Sequence, residues 1–278
     1  CGRERTAETY TAALNSIARF NGGRDIYLDE IDETIVLHYE VYLRLRGIAM
    51  NTSSFYMRIL RAAYNKAVEK GLVEQRHPFR QVYTGVDKTA KRAITLRQVR
   101  LVKNLDLSDN RDLAFARDMF LFSFYTRGMS LIDMAFLTAD NLYNGRLTYT
   151  RRKTGQLLSI RWERCMQEIV DRYHVKGARY LLPLIEREGV DERQQYKTRS
   201  VWLCNKLKRI GQIIKFDAPL TMYVARHSWA SIARASHIPI SVISEGMGHD
   251  SELTTQIYLS SFNYLEIDKA NKRILNML

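Results

Sequence analysis

The chain has 278 residues, 46% hydrophobic and 10% aromatic, so it is long enough for two domains and apolar enough to fold. Lysine and arginine outnumber aspartate and glutamate by 43 to 30, giving a net charge of +13. This excess predicts nucleic acid as partner, with a basic domain that binds no polyanion as the alternative. The sequence has no run of 18 apolar residues and no apolar signal segment in residues 1–20, which argues against a membrane protein.

Charge and cysteine distribution refine this picture. Residues 1–90 hold 13 basic against 11 acidic side chains, whereas residues 91–278 hold 30 against 19. The excess of positive charge therefore belongs to the C-terminal two thirds. The three cysteines, Cys1, Cys165 and Cys204, are widely spaced and form no CxxC pair. That spacing suggests neither a zinc site nor a disulfide framework, and it favours a reducing, intracellular setting.

The N-terminal part is predicted to be a helical bundle. Apolar residues recur at helical spacing, with glycines where each helix should stop, over residues 6–20, 28–46 and 51–70. We expect a domain over residues 1–82 and a polar, basic linker over residues 83–92. Such a linker either lies along a DNA backbone or is an ordinary solvated connector. Its basic side chains are Lys88, Lys91 and Arg92.

The remainder is predicted to be mainly helical with a small antiparallel sheet. Thr95 caps a first helix, and an apolar, mostly helical stretch follows. Residues 146–152 and 157–162 read as a β-hairpin with Lys153 at its tip. The predicted helical segments after Thr95 are 110–137, 163–175, 197–213, 223–236, 240–247 and 262–277.

Three residues near the C-terminus suggest chemistry on a phosphodiester. Arg226, in Ala225-Arg226-His227-Ser228-Trp229, offers a planar fork of donors for phosphate oxygens. His249 follows Gly248 and can donate a hydrogen bond or a proton. Tyr258, nine residues later, carries a hydroxyl that can attack phosphorus.

These motifs resemble those of the tyrosine recombinase (phage-integrase) family. The resemblance covers nearly the whole chain and implies a helical core-binding domain at 1–82 and a catalytic domain at 93–278. It also implies double-stranded DNA as substrate and a homotetramer on two DNA sites. In that assembly the helix at 262–278 packs into a neighbouring subunit; the alternative is that it caps its own core.

The resemblance assigns roles to the matching residues. Tyr258 corresponds to the nucleophile that forms a 3′-phosphotyrosine, with Tyr264 as the nearby rival. Arg226 corresponds to the second family arginine, and His249 to the residue that hydrogen-bonds a non-bridging phosphate oxygen. Lys153 corresponds to the hairpin lysine, the general acid for the leaving 5′-oxygen.

The chain departs from the family pattern at two positions. Where the first family arginine is expected, three residues before the acidic Asp133, it has Ser130. We expect Arg127 to substitute and Ser130 to line the site, with Arg117 as the reserve candidate. Where His or Lys is expected three residues before Arg226, it has Tyr223, which can donate a hydrogen bond but carries no positive charge at neutral pH.

The resulting hypothesis is a site-specific recombinase or integrase, metal-independent and without a cofactor, in the cytoplasm and associated with the nucleoid. Arg151 and Arg152, beside the hairpin lysine, are further candidates for DNA contact. Two alternatives stay open: a type IB topoisomerase-like enzyme, and a DNA-binding protein whose catalytic site has decayed.

Overall fold

The chain folds as two compact units, Cys1–Thr89 and Ala90–Leu278, in a computed structural model. The structure describes residues 4–87, 93–259, 271–272 and 275–276, without the side chains of Glu4, Arg5, Ile257 and Tyr258. Among the helices in these ranges, none combines the length and apolarity needed to cross a bilayer.

The first unit is a three-helix bundle made of α1 (Glu4–Phe20), α2 (Glu33–Leu45) and α3 (Met50–Glu69). Its core is rich in aromatic residues, and buried Tyr39 and Tyr64 are almost wholly excluded from solvent. α2 begins five residues later than the spacing predicts. Asp32 is its N-cap and accepts from the Ile35 amide at 2.8 Å, which fixes the start of the helix.

The second unit packs helices around one small sheet, so the predicted fold class is confirmed. Three strands pair antiparallel in the order β1-β2-β3, and β1 was not predicted. Buried residues of β2 and β3 share one face of the sheet, and Tyr149 pairs with Leu158. The strands are β1 (Leu142–Tyr143), β2 (Arg146–Thr150) and β3 (Leu157–Arg161). The helices are α4 (Leu96–Asn104), α5 (Arg111–Tyr125), α6 (Leu131–Ala135), α7 (Arg164–Tyr173), α8 (Glu192–Ile213), α9 (Met222–Ala235), α10 (Ile240–Met247) and α11 (Glu252–Tyr258).

The apolar, mostly helical stretch 110–137 forms two helices, α5 and α6, separated by a sharp turn. The Gly128 amide donates to the Ser123 carbonyl at 2.7 Å, and the Arg127 amide to the Phe124 carbonyl at 3.2 Å. This is a Schellman motif, in which glycine usually takes the first left-handed position. Here Arg127 takes that position with φ 59°, followed by Gly128 with φ 75°. An arginine thus occupies a strained backbone position where glycine would cost less.

Candidate functional site

Arg226 is the buried centre of the site. It lies on α9 and is only 4% exposed. Its Nη1 donates to the Gly128 carbonyl at 2.8 Å, and its Nη2 donates to the Met247 carbonyl at 2.6 Å. The guanidinium therefore ties the α5–α6 turn to the end of α10. This brings together three stretches that are distant in sequence.

His249 lies directly against Arg226. Gly248 ends α10 in the left-handed conformation and turns the chain so that the His249 ring faces the guanidinium. Nε2 of His249 lies 2.9 Å from Nη2 of Arg226, and Nδ1 lies 2.8 Å from Oγ1 of Thr255. Burial, followed by the positive charges of Arg226, Arg151 and Lys153, lowers the pKa of His249 to about 4. The ring is therefore neutral at pH 7.

Acid should weaken the fold through this ring. The pKa of His249 is about 4 in the folded chain against an ordinary value of 6.5, so its contribution to stability is complete above about pH 6.5 and is lost as the pH falls through 4. Between pH 7 and pH 4, we expect the unfolding free energy of the wild type to fall by about 2 kcal/mol more than that of His249→Gln, after discounting for solvent screening. Denaturant titration at both pH values measures this; equal losses in the two proteins would contradict it.

Gly128 is required by the close approach of Arg226. A Cβ added at Gly128 would lie 2.6 Å from the Arg226 Cα and 2.7 Å from its Cγ. Neither the backbone of α9 nor the buried aliphatic part of Arg226 can move aside without a large loss of packing energy, since both are packed in the interior.

We expect Gly128→Ala to lower the unfolding free energy by about 3 kcal/mol and to displace Arg226, through left-handed strain plus the steric clash. Gly145→Ala is the matched control, because Gly145 has φ 68° and open space around its Cα. It should cost only the strain, about 1 kcal/mol. Thermal unfolding of both variants measures the difference, and equal losses would show that the clash is absent.

Asp133 and Ser130 link α6 to the turn of the β2–β3 hairpin. Ser130 is the N-cap of α6, and its hydroxyl donates to Oδ2 of buried Asp133 at 2.6 Å. The other carboxylate oxygen, Oδ1, accepts from the Arg152 amide at 3.0 Å. Ser130 thus holds the carboxylate that fixes the hairpin turn, and its place at the phosphate site stays a prediction. Lys153 is the next residue along that turn and is exposed.

Arg151 and Arg152 differ in environment. Arg151 is buried, and its Nη1 donates to the Gly248 carbonyl, so the hairpin is tied to the residue before His249. The Arg152 guanidinium lies over the Phe136 ring, 3.6 Å from its centroid, and the residue is exposed. For both arginines a contact with DNA stays a prediction.

Arg127 extends toward the same centre. Its Cδ lies 3.6 Å from the position that a Cβ on Gly246 would occupy, three residues before His249. The pKa of the buried Tyr149 hydroxyl is raised, chiefly by burial and secondly by Asp133. Three positive charges act against this rise: Arg226, Arg151 and Arg127. Arg127 therefore shares an electrostatic environment with the predicted phosphate ligands.

Arg117, the reserve candidate for the missing arginine, is engaged elsewhere. Its Nε donates to Asp118 at 2.8 Å and its Nη1 to the Leu105 carbonyl at 2.8 Å. Buried Asp118 also accepts from Arg172 and from Tyr173, so Arg117 belongs to a network that joins α5 to α7. Arg127 accordingly stays the predicted substitute.

Tyr223 lies on α9 one turn before Arg226 and is 54% exposed. Its ring packs edge-on against His227, with centroids 4.5 Å apart. The hydroxyl's role toward phosphate stays a prediction. Tyr258 is the last residue of α11, and its side chain is not described. Lys88, Lys91 and Arg92 lie outside the described residues, as does most of the predicted helix 262–278.

Sequence reasoning missed several groups that build the site. The carbonyls of Gly128 and Met247 hold Arg226, yet backbone acceptors leave no side-chain signal. Thr255 contacts His249, although the sequence marks it only by its place shortly before Tyr258. A glycine directly after Arg127 is the one sequence signal for the close approach of α9.

Comparisons with known proteins agree with this fold. The family model described as "Phage integrase SAM-like domain" matches residues 2–82. Tyrosine recombinase XerD of Halalkalibacterium halodurans is 23% identical over 237 residues, covering 82% of this chain and 77% of that protein. The chain is thus similar to a tyrosine recombinase over most of its length, and its residues 2–82 match a phage-integrase domain model.

Three solved structures share this fold at low sequence identity. A lambda integrase (75–356) dimer bound to a COC′ core site matches with TM-score 0.72 and 15% identity, covering 92% of this chain and 89% of that one. XerH site-specific recombinase bound to palindromic difH substrate matches with TM-score 0.68 and 15% identity, covering 95% and 78%. The Tn1549 transposon integrase in complex with circular intermediate DNA matches with TM-score 0.68 and 14% identity, covering 99% and 94%.

Proposed function

We propose that this chain is a site-specific DNA recombinase that cleaves and rejoins strands through a 3′-phosphotyrosine intermediate. One observation carries the proposal: the buried contact of 2.9 Å between Arg226 and His249, assembled from α9 and the end of α10. A fixed cation beside a neutral imidazole suits a phosphodiester whose non-bridging oxygens gain charge during cleavage. The excess of positive charge in residues 91–278 supports DNA as the substrate.

In the proposed step Tyr258 attacks phosphorus, an O–P bond forms and the bond to the 5′-oxygen breaks. Arg226 and Arg127 bind the non-bridging oxygens, and the neutral imidazole of His249 accepts the proton that the Tyr258 hydroxyl loses. Lys153 gives its proton to the leaving 5′-oxygen. A 5′-hydroxyl from a second DNA then reverses the step and releases Tyr258. The bond energy is kept in the phosphotyrosine, so no nucleotide is consumed.

Asp133 has a positioning role in this scheme. It holds the hairpin turn through the Arg152 amide at 3.0 Å while it accepts from Ser130 at 2.6 Å. The hairpin turn that carries Lys153 is therefore fixed at its backbone, although the Lys153 side chain is exposed. The positive charge of Lys153 also acts on His249, which supports a common site for the two residues.

For assembly we propose a homotetramer on two DNA duplexes, with exchange of the helix at 262–278. A lambda integrase tetramer bound to a Holliday junction matches this chain with TM-score 0.73 and 16% identity, which supports the fold on which such an assembly rests. The matched proteins are recombinases and integrases, which favours recombination over a topoisomerase-like activity.

The test is capture of covalently bound DNA from a pool of random sequences, so the target site need not be specified. Each duplex in the pool is nicked so that a short 5′-hydroxyl fragment can leave; the pool is incubated with the protein and stripped with SDS. We expect wild type to retain one enriched sequence and Tyr258→Phe to retain none. Binding of DNA with no covalent adduct in either protein would support the decayed-site alternative and overturn the proposal.

A further inference from the structure

We infer that Thr255 is a positioning residue that fixes the tautomer of His249 and ties the helix of Tyr258 to the phosphate site. The inference deepens the proposed function and rests on it for its consequence in DNA cleavage. Both nitrogens of the imidazole ring make a contact, Nε2 with Arg226 and Nδ1 with Thr255.

The tautomer follows from the chemistry of the partners. A guanidinium has donors only, so Nη2 of Arg226, 2.9 Å away, requires Nε2 of His249 to accept. A neutral imidazole has a single N–H, which must then be on Nδ1. Oγ1 of Thr255, 2.8 Å from Nδ1, is the acceptor for that proton. The lone pair of Nε2 therefore faces Arg226, where the phosphate is expected.

The contact is buried and specific. Thr255 is 0% exposed and His249 is 7% exposed, so water does not readily replace the hydroxyl. Without an acceptor, an N–H on Nδ1 would be buried and unpaired. If the proton moved to Nε2, two hydrogen-bond donors, Nε2–H of His249 and Nη2–H of Arg226, would face each other. Either change displaces the ring.

Thr255 also connects His249 to the nucleophile. It lies on α11, three residues before Tyr258, and positions three apart share a helix face. α11 has only seven residues, so this buried hydrogen bond adds to the packing against α10 and α9 that holds it. The placement of Tyr258 and the orientation of His249 are thus coupled through one hydroxyl.

The test combines an activity measurement with a direct measurement of the tautomer. Thr255→Val keeps the shape and removes the hydroxyl, whereas Thr255→Ser keeps the hydroxyl. We expect adduct formation to fall about 10- to 100-fold in Thr255→Val and to stay within about 3-fold of wild type in Thr255→Ser. Thr254→Val is the matched control, since Thr254 is the adjacent, exposed residue of the same helix. It should also stay within about 3-fold.

The tautomer is read from the ¹⁵N shifts of His249, assigned by loss of its signals in His249→Gln. We expect a proton on Nδ1 in wild type and a mixture of tautomers in Thr255→Val. A proton on Nε2 in wild type, or full activity of Thr255→Val, would overturn the inference. The wild-type spectrum needs no activity, so it still decides the matter if the proposed function fails.

Discussion

Replacing Arg226 with lysine is expected to lower the rate of covalent adduct formation by about 100- to 1000-fold although the positive charge stays. A lysine ammonium cannot form the set of hydrogen bonds that the planar guanidinium of Arg226 makes to Gly128, Met247 and His249. Two buried carbonyls lose their donors, so we also expect the unfolding free energy to fall by about 2 to 4 kcal/mol. Single-turnover cleavage and denaturant unfolding measure the two effects.

The matched control is Arg234→Lys, the same chemical change in the last turn of the same helix. It should cleave within about 3-fold of wild type, because Arg234 lies two turns beyond the site. If Arg226→Lys cleaved DNA as fast as this control, the guanidinium would not be the centre of the phosphate cage.

Replacing Arg127 with glycine should lower DNA cleavage without lowering the stability of the fold. Arg127 occupies the left-handed position of the α5–α6 turn with φ 59°, where glycine relieves strain. We expect the free energy of unfolding to stay unchanged or to rise by up to about 1 kcal/mol. Adduct formation should nevertheless fall about 100-fold or more, since the proposed phosphate ligand is lost.

Arg117→Ala should show the opposite behaviour. Its loss disrupts the pairing with buried Asp118 and lowers stability, whereas cleavage by the folded protein should persist. If Arg127→Gly retained full cleavage, some other group would replace the first family arginine. A Tm measurement beside the cleavage assay distinguishes these outcomes.

Much of the fold was predictable because helical spacing and stop signals are local. The bundle helices, the hairpin and the fold class followed from apolar periodicity and glycines. β1, with two residues, carries no periodic signal, and α11, with seven, carries little. The break within the mostly helical stretch 110–137 depends on left-handed residues at 127 and 128. An arginine in the sequence does not predict such a conformation.

The site was predictable only where chemistry resides in side chains that recur in a known order. Arg226 and His249 were predicted from their motifs and do meet, at 2.9 Å. The groups that hold them were not predictable, since two are carbonyls and one is a threonine six residues after His249. Such contacts depend on the three-dimensional approach of α9, α10 and α11. Local sequence does not encode that approach.

The most direct test of the central claim is to locate the DNA on the protein. After covalent capture, nuclease digestion and trypsin, the adduct should lie on the peptide spanning residues 235–269, which contains both Tyr258 and Tyr264. Fragmentation by tandem mass spectrometry then assigns the residual nucleotide to one tyrosine. The proposal predicts nucleotide mass on Tyr258. Nucleotide mass on Tyr264, on a tyrosine elsewhere in the chain, or on no tyrosine would contradict it.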